Sequence, residues 1–269
     1  MSDELYLPDG TPVRMGCLQP EEMRFAAVPK WEESNPVLPR DQWEEHDDYA
    51  PHMLGIKYQQ NNNCTNASLA GLAETAFRAA GMQVPSLSST YLYSMTNGGR
   101  DAGAMCRDVA WTWLQQGLAP EEDALEGQIY APRGGWPSET KAKAAKYKPL
   151  EIYQCMNADD VGSALTRRFL VYFGLCLGNR FFSTPKDGRV PPWDGSTRGG
   201  HAMYARGITK RFGDLRFIVP NSWSKSFGES GIGYMPLDYF WAESGNFINL
   251  DAYAVRAVKR NDDLPDVKG

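Results

Sequence analysis

The chain has 269 residues, of which 42% are hydrophobic and 12% aromatic, enough to form a sizeable core. This composition excludes an intrinsically disordered chain. The formal net charge is −5 and lysine and arginine are scattered, so no basic surface for nucleic acid is indicated. We therefore expect one large domain or two packed lobes, with no nucleic-acid partner.

The first residues and the hydropathy pattern bear on localisation. Residues 1–13 are polar and acidic, without the basic and apolar regions of a signal peptide. The longest apolar run, residues 169–177, is much shorter than the roughly 20 residues that a membrane-spanning helix needs. These features predict a cytoplasmic protein with no membrane partner.

The cysteines are odd in number and widely spaced: Cys17, Cys64, Cys106, Cys155 and Cys176. No Cys-x-x-Cys pair occurs, which argues against a zinc site or a thioredoxin-type motif. A disulfide framework is not expected without a secretory signal. Most of these thiols are therefore predicted to be small buried hydrophobic side chains.

The two ends of the chain differ in composition from the middle. Residues 1–50 are rich in proline, glutamate and aspartate, which predicts an extended N-terminal arm that wraps the surface with little regular structure. Residues 259–269 are polar and are expected to form a C-terminal tail. The domain between them, residues 51–258, should carry the function.

The clearest helical pattern begins at Cys64. Small and apolar residues recur at three- and four-residue steps from Ala67 to Ala80, and Gly81 follows as a stop signal. Asn63 precedes the run, and asparagine is a favoured N-cap residue. Cys64 is thus predicted to lie in the first turn of a central helix.

The remaining predicted elements are helices in the first part of the chain and mainly strands after residue 168. Further helices are predicted at 103–116 and 158–168, the second capped by Asn157. Strands are predicted at 169–177, 201–208, 215–220, 233–235 and 251–258, with a turn at 210–213. This order predicts an α+β fold, with a helical lobe at about 51–150, a β lobe at about 151–258 and a cleft between them.

Three residues have the chemistry of a nucleophilic site. A thiol in the first turn of a helix faces unpaired N–H groups and a partial positive charge, which favour the thiolate of Cys64. A histidine can act as its base, and His201 follows two glycines at the start of a predicted strand. Asn221 closes a later strand, and its amide oxygen can accept a hydrogen bond from one ring N–H of His201 and so orient the other ring nitrogen.

Each of these residues also has a purely structural explanation. A cysteine at a helix start, a partly buried histidine and an asparagine at a turn are all common. The other two histidines, His46 and His52, lie in an acidic segment and are predicted to be solvated at the surface. The order Cys, His, Asn, each in a suitable local setting, favours the functional interpretation.

With these motifs the chain resembles the papain family of cysteine peptidases, especially compact bacterial and bacteriophage members. The similarity spans residues 36–258. The most specific part comprises Gly199-Gly-His-Ala-Met203, Phe217-Ile-Val-Pro-Asn-Ser-Trp223 and Phe227-Gly-Glu-Ser-Gly-Ile-Gly-Tyr234. The resemblance implies a papain-like two-lobed fold, a Cys64–His201–Asn221 site and no metal or organic cofactor.

The resemblance also implies binding roles for other residues. Gln59 would donate a hydrogen bond to the oxyanion, as would the Cys64 backbone N–H. The segment Asp101-Ala-Gly-Ala-Met-Cys-Arg-Asp108 is similar to the start of the family's second helix, so Gly103 and Ala104 are candidates for substrate contact. Trp223 is expected to shield the His201–Asn221 hydrogen bond and to border the substrate.

The sequence departs from the family around the nucleophile. The family pattern Gln-Gly-x-x-Gly-Ser-Cys is replaced by Gln59-Gln-Asn-Asn-Asn-Cys64, which is one residue shorter and has no glycine. Gln60 is therefore an alternative to Gln59. Another alignment places Cys64 on the family's disulfide cysteine and Ala67 on the nucleophile, although the helical stripe favours Cys64 as nucleophile.

The leading hypothesis is a cysteine peptidase that acts on a peptide or protein substrate. The alternative is a catalytically idle papain-like structural or binding protein, for example in a phage particle, whose arm contacts protein neighbours in an assembly. Such a protein would be virion-associated, and its own arm could fill the cleft. Other acyl transfers on the same residues form a third possibility, disfavoured by Asn at position 221.

Overall fold

A computed structural model describes residues 5–18, 28–240 and 249–257. The predicted tail at 259–269 and the end of the last predicted strand at Val258 lie outside the described residues. The helices are α1 (Trp31–Ser34), α2 (Cys64–Ala79), α3 (Ser89–Thr96), α4 (Cys106–Gln116), α5 (Ser138–Ala144) and α6 (Ala158–Thr166). Within the described ranges, no helix combines the length and the apolar character needed to span a membrane.

In the described part of the chain, the strands form two larger and two small sheets. They are β1 (Leu5–Tyr6), β2 (Pro12–Val13), β3 (Cys17–Leu18), β4 (Ala104–Met105), β5 (Glu151–Gln154), β6 (Leu170–Leu177), β7 (Gly199–Ala205), β8 (Gly207–Thr209), β9 (Arg216–Pro220), β10 (Ile232–Pro236) and β11 (Asn249–Arg256). The four-stranded sheet has the antiparallel order β5-β11-β6-β7, and a three-stranded antiparallel sheet has the order β10-β9-β8.

The four-stranded sheet separates two hydrophobic cores because successive side chains of a strand point to opposite faces. Leu170 and Tyr172 pack with the helices α2 to α4, whereas Val171 and Phe173 pack with α6 and the three-stranded sheet. The same alternation holds along β7 and β11. The molecule is thus an α+β protein with a helical lobe and a β lobe, as predicted.

Helix α2 lies against this sheet and begins at Cys64, the residue predicted from its apolar stripe. Its side chains are buried from Cys64 through Phe77, and Gly81 follows it at a φ of 80°. The cap differs from the prediction, because the Asn63 side chain donates to Ser89 Oγ at 2.8 Å and makes no capping hydrogen bond. The burial of Asn63 between α2 and α3 explains the difference.

Several elements follow the sequence prediction and others do not. Helix α6 is capped as expected, with Asn157 Oδ1 accepting from the N–H groups of Asp159 and Asp160. The second predicted helix is shorter than expected, because Ala104 and Met105 pair with β3 before α4 begins. Helices α3 and α5 and strand β5 were not predicted, and β5 is placed by its antiparallel pairing with β11.

Within residues 5–18 and 28–50, the N-terminal arm places several side chains in the core, whereas the sequence predicted an arm that wraps the surface. Trp31 is fully buried and Trp43 is 2% exposed, and both belong to the core of the β lobe. Cys17 is also buried. The surface prediction for His46 is wrong, since its ring is buried with Nε2 2.9 Å from the carbonyl oxygen of Leu165. The domain limits near residues 50 and 258 stay predictions.

Candidate active site

Two strands bring His201 and Asn221 together. His201 lies on β7 opposite Leu175 of β6, and Asn221 directly follows β9. The His201 Nε2–H donates to Asn221 Oδ1 at 2.9 Å, and neither residue is exposed. This bond leaves Nδ1 as the unprotonated ring nitrogen, and Nδ1 has no hydrogen-bond partner in the described part of the chain.

Trp223 covers this pair from one side. Its ring centroid lies 4.5 Å from that of His201, with 30° between the ring planes. The indole is itself held by Phe182, which stacks on it at 5.6 Å, and it is only 6% exposed. The ring therefore keeps water away from the His201–Asn221 bond, which strengthens that bond.

Cys64 lies beside the strand that carries His201. Hydrogen bonding from the backbone N–H groups of Ala202, the residue after His201, and of Gly16 in the arm acts to lower the pKa of its thiol. The side chain has no solvent exposure. Desolvation outweighs these bonds and raises the pKa of the thiol to about 12, so the buried thiol is neutral.

His201 is neutral for the same reason. Its burial lowers the pKa of the imidazole to about 4, although the hydrogen bond to Asn221 opposes this effect. Since Nδ1 has no partner among the described residues, no hydrogen bond joins it to the Cys64 thiol in this arrangement. Cys64 lies beside the strand that carries His201, and because both groups are neutral they do not form an ion pair.

Gln59 is the glutamine at the site. Its Oε1 accepts from Ser222 Oγ at 2.8 Å, which turns the Nε2 group towards the carbonyl oxygens of Asn61 and Arg14 at 3.0 and 3.2 Å. The Gln59 backbone N–H also donates to the Ser222 carbonyl. The Gln60 side chain lies next to Gly127 instead, so the two glutamines are clearly separated.

The asparagine loop before Cys64 is held without the glycines of the family pattern. The Asn62 backbone N–H donates to Asp101 Oδ1 at 2.9 Å, and its side-chain amide donates to the Asp101 carbonyl. Tyr93 of α3 donates its hydroxyl to the same carboxylate oxygen at 2.6 Å. Asp101 therefore fixes the path of a loop that differs in sequence from that of the family.

The N-terminal arm passes through the site. The Arg14 carbonyl oxygen accepts from Gln59 Nε2 and, at 3.1 Å, from Trp223 Nε1. The Gly16 carbonyl oxygen accepts from the Ala104 N–H at 2.9 Å, and β3 continues this contact as a parallel pair with β4. The arm thus occupies the polar main-chain and side-chain groups that line the cleft, and it covers Cys64.

Close backbone contact explains the two glycines at this crossing. A Cβ on Gly103 would lie 2.3 Å from the Gly16 carbonyl oxygen, and a Cβ on Gly16 would lie 1.9 Å from the Asn62 carbonyl oxygen. Contacts this short are sterically forbidden, so only glycine allows the arm to lie this deep. Gly103 also has a φ of 95°, a value that favours glycine.

The structure brings together all the side chains and main-chain groups selected from the sequence: Cys64, His201, Asn221, Gln59, Gly103, Ala104 and Trp223. It also adds residues that sequence reasoning missed, namely Arg14, Gly16 and Cys17 of the arm, and Ser222. One signal was present, because Met15-Gly-Cys-Leu18 is an apolar stretch inside an otherwise polar arm.

Solved structures with the same fold are numerous. Xylellain, a cysteine protease from Xylella fastidiosa, superposes with a TM-score of 0.69 at 20% identity, covering 91% of this chain and 96% of that one. The chain has the papain-like fold. No protein-family model and no curated protein sequence matches it.

Other structures confirm this papain-like assignment. A procathepsin B from Trypanosoma congolense has a TM-score of 0.65 at 17% identity, covering 91% of this chain and 87% of that chain. A recombinant stem bromelain precursor has a TM-score of 0.61 at 17% identity, covering 86% of this chain and 76% of that chain. At 20% identity or below, the similarity to these structures establishes the fold alone. The chemistry has to be argued from the residues at the site.

Proposed function

We propose that the protein is a thiol peptidase that cleaves peptide bonds with Cys64 as nucleophile, His201 as base and Asn221 as the residue that orients the base. The observation that carries the proposal is the buried 2.9 Å bond between His201 Nε2 and Asn221 Oδ1. This bond leaves Nδ1 unprotonated, on the strand whose next N–H group contacts the Cys64 thiol. The papain-like fold supports the same assignment.

The reaction follows from these positions. His201 Nδ1 takes the Cys64 proton, and the thiolate attacks the scissile carbonyl carbon. The oxyanion that forms accepts hydrogen bonds from Gln59 Nε2 and from the Cys64 backbone N–H. The intermediate collapses, the leaving amine takes the proton from His201, and a thioester remains on Cys64. Water, deprotonated by the same histidine, then hydrolyses the thioester and regenerates the thiol.

The contacts of the arm support the proposed binding roles. A backbone carbonyl, that of Arg14, already accepts from Gln59 Nε2, which is the donor assigned to the oxyanion. The Ala104 N–H already holds a second peptide carbonyl, that of Gly16. A peptide or protein substrate would use the same two donors once the arm has left.

The proposed enzyme therefore has a closed form and an open form. In the closed form Cys64 and His201 are shielded from water and neutral. The pKa of the Cys64 thiol lies at about 12 and that of the His201 imidazole at about 4. In the open form water reaches both groups, which removes the desolvation that keeps them neutral. A thiolate–imidazolium pair can then form, and the thiol becomes reactive at neutral pH.

The test measures the rate of Cys64 alkylation by iodoacetamide against pH, read by peptide mass spectrometry. Gly16→Ala forces a methyl group against the Asn62 carbonyl and should open the arm, with an alkylation rate about 10-fold or more above wild type at neutral pH. Arg14→Ala is the matched control, since the exposed side chain is lost while the carbonyl contact stays. Adding His201→Ala to Gly16→Ala should abolish the gain.

Cleavage is then measured on a peptide library with the Gly16→Ala protein, with Cys64→Ala as the inactive control. Cleavage that depends on Cys64 supports the peptidase. A Cys64 thiol that titrates near its unperturbed pKa in the opened protein, indifferent to His201, contradicts it. That result would favour an idle papain-like scaffold that binds neighbours, including one in a virion.

A further inference from the structure

Two thiols meet where the arm crosses the wall of the cleft. Cys17 of β3 and Cys106, the first residue of α4, have their sulfur atoms 3.5 Å apart. The residues are 6% and 1% exposed, and they lie 89 positions apart in the sequence. Both are thiols in the structure.

The strand pairing holds the two thiols in position. Cys17 is the partner of Ala104 in the parallel β3–β4 pair, two residues before Cys106. The Gly16–Ala104 hydrogen bond at 2.9 Å fixes the register directly beside this contact. A disulfide has an S–S length of about 2.05 Å, so the sulfur atoms need to approach by only about 1.5 Å.

We propose that Cys17 and Cys106 are a redox-modification site, and that their disulfide locks the arm over Cys64. The inference rests on the proposed function for its consequence, which is control of a peptidase. The formation of the bond does not depend on that function. Locking follows because a covalent tether keeps β3 at the cleft wall, and β3 directly continues the segment that covers the Cys64 thiol.

The oxidant is a low-molecular-weight disulfide such as oxidised glutathione. One protein thiolate attacks it, forms a mixed disulfide and releases one glutathione thiolate. The second protein thiolate then attacks the protein-bound sulfur and releases the other glutathione. The cysteines lose two electrons and two protons, and the oxidant gains the electrons and becomes two glutathione molecules. Excess reduced glutathione reverses the exchange.

The first exchange takes place with the arm out of the cleft. In the closed form the hydrogen bond to Cys106, together with burial, raises the pKa of Cys17 well above its ordinary value. The Cys17 thiolate is therefore disfavoured while the arm is docked, and both buried sulfur atoms are shielded from the oxidant. When the arm opens, water and oxidant reach both thiols, and redocking of the arm brings the mixed disulfide to the second cysteine.

The experiment uses the full chain after incubation with oxidised or reduced glutathione. Cross-linked peptides are identified by mass spectrometry without reduction, and Cys64 alkylation is followed in the same samples. We expect a Cys17–Cys106 cross-link and a Cys64 alkylation rate about 100-fold lower than in the reduced protein. Excess reduced glutathione should restore the rate.

Matched variants separate the lock from other oxidations. Cys17→Ser and Cys106→Ser each remove one partner, and both should make alkylation insensitive to oxidised glutathione. Cys155→Ala is the control, because this buried cysteine lies in the other core and should leave the lock intact. Each serine variant removes one sulfur atom of the same disulfide. If one of them disturbs docking of the arm, the other still tests whether alkylation of Cys64 responds to oxidised glutathione.

Three results would overturn the lock: no Cys17–Cys106 cross-link, a cross-link from Cys17 to Cys64 instead, or the expected cross-link with unchanged Cys64 alkylation. Neither readout needs peptide cleavage. If cleavage is absent while the cross-link still slows alkylation of Cys64, the peptidase proposal fails and the lock is supported.

Discussion

His201 and Asn221 form a fully buried hydrogen-bonded pair, with 2.9 Å between Nε2 and Oδ1, although His201 lies in the four-stranded sheet and Asn221 directly follows a strand of the three-stranded sheet. Strand β7 carries the histidine and the end of β9 presents the asparagine. Both strands are embedded in hydrophobic core, so the pair has little freedom to move. The tautomer and the direction of the imidazole are therefore set by the fold before any substrate binds.

This geometry predicts a large effect of Asn221→Ala on catalysis. Without the acceptor, the imidazole loses its preferred tautomer and direction, and we expect kcat to fall on the order of 100-fold. The measurement is steady-state cleavage of a library-derived peptide, made in the Gly16→Ala background so that the arm does not limit the rate.

Asn221→Asp is the informative partner variant. It keeps an acceptor at the same place and should recover most of the activity. Its negative charge favours the imidazolium, so the histidine limb of the pH profile should move to higher pH. Equal activity of the Gly16→Ala protein with and without Asn221→Ala would contradict the orienting role.

A second prediction concerns the orientation of the Gln59 amide. Ser222 Oγ donates to Gln59 Oε1 at 2.8 Å, and this bond decides which end of the amide faces the cleft. Ser222→Ala should lower kcat about 10-fold with little change in KM, because the donor is needed only for the oxyanion. Gln59→Glu, which keeps the shape of the side chain and removes the hydrogen-bond donor, should lower kcat about 100-fold or more. A Ser222→Ala effect confined to KM would contradict this assignment.

A third prediction concerns stability against pH. Burial lowers the pKa of His201 from 6.5 to about 4, so between these values the unfolded chain binds a proton that the folded chain does not. The free energy of unfolding should therefore decrease as the pH falls from about 6.5 towards 4, by about 3 kcal/mol from this residue.

His201→Gln isolates that contribution because its side chain does not titrate. Urea unfolding of both proteins, followed at pH values across this window, gives the difference. The free energy of unfolding of wild type should drop more steeply than that of the variant on acidification. Parallel curves would show that His201 is not buried as a neutral base in the folded chain.

A fourth prediction concerns the buried ion pair between Lys57 and Glu74. Lys57 Nζ lies 3.0 Å from Glu74 Oε1 and 3.2 Å from Glu121 Oε2, and the Glu74 side chain is only 3% exposed. Lys57→Met leaves the Glu74 carboxylate without its cation, at a cost of about 3 kcal/mol in the free energy of unfolding near neutral pH.

Part of that loss should be regained as the pH falls. Burial already raises the pKa of Glu74 and Lys57 opposes the rise, so in the variant the carboxyl protonates more readily. Arg40→Met provides the comparison, since Arg40 pairs with Asp159 at an exposed site where the expected loss is below about 1 kcal/mol. Similar losses in the two variants would contradict the buried ion pair.

The sequence by itself determined the parts of this protein that depend on local patterns. Helix α2 starts at Cys64 and ends before Gly81 because small and apolar residues repeat with helical period and a glycine follows. The papain-like fold also followed from the sequence, through the motifs around His201 and Asn221. In these cases neighbouring residues carry the information.

The tertiary structure alone decided what depends on residues far apart in the chain. Gln59 and Gln60 are adjacent and chemically identical. Tertiary contacts distinguish them, because the Ser222 hydroxyl donates to Gln59 at the site whereas the Gln60 side chain lies next to Gly127. The position of the arm depends on whether a strand as short as β3 finds a partner, and that partner lies in residues 104–105. Short strands have little propensity of their own, so their placement is set by long-range pairing that local sequence does not encode.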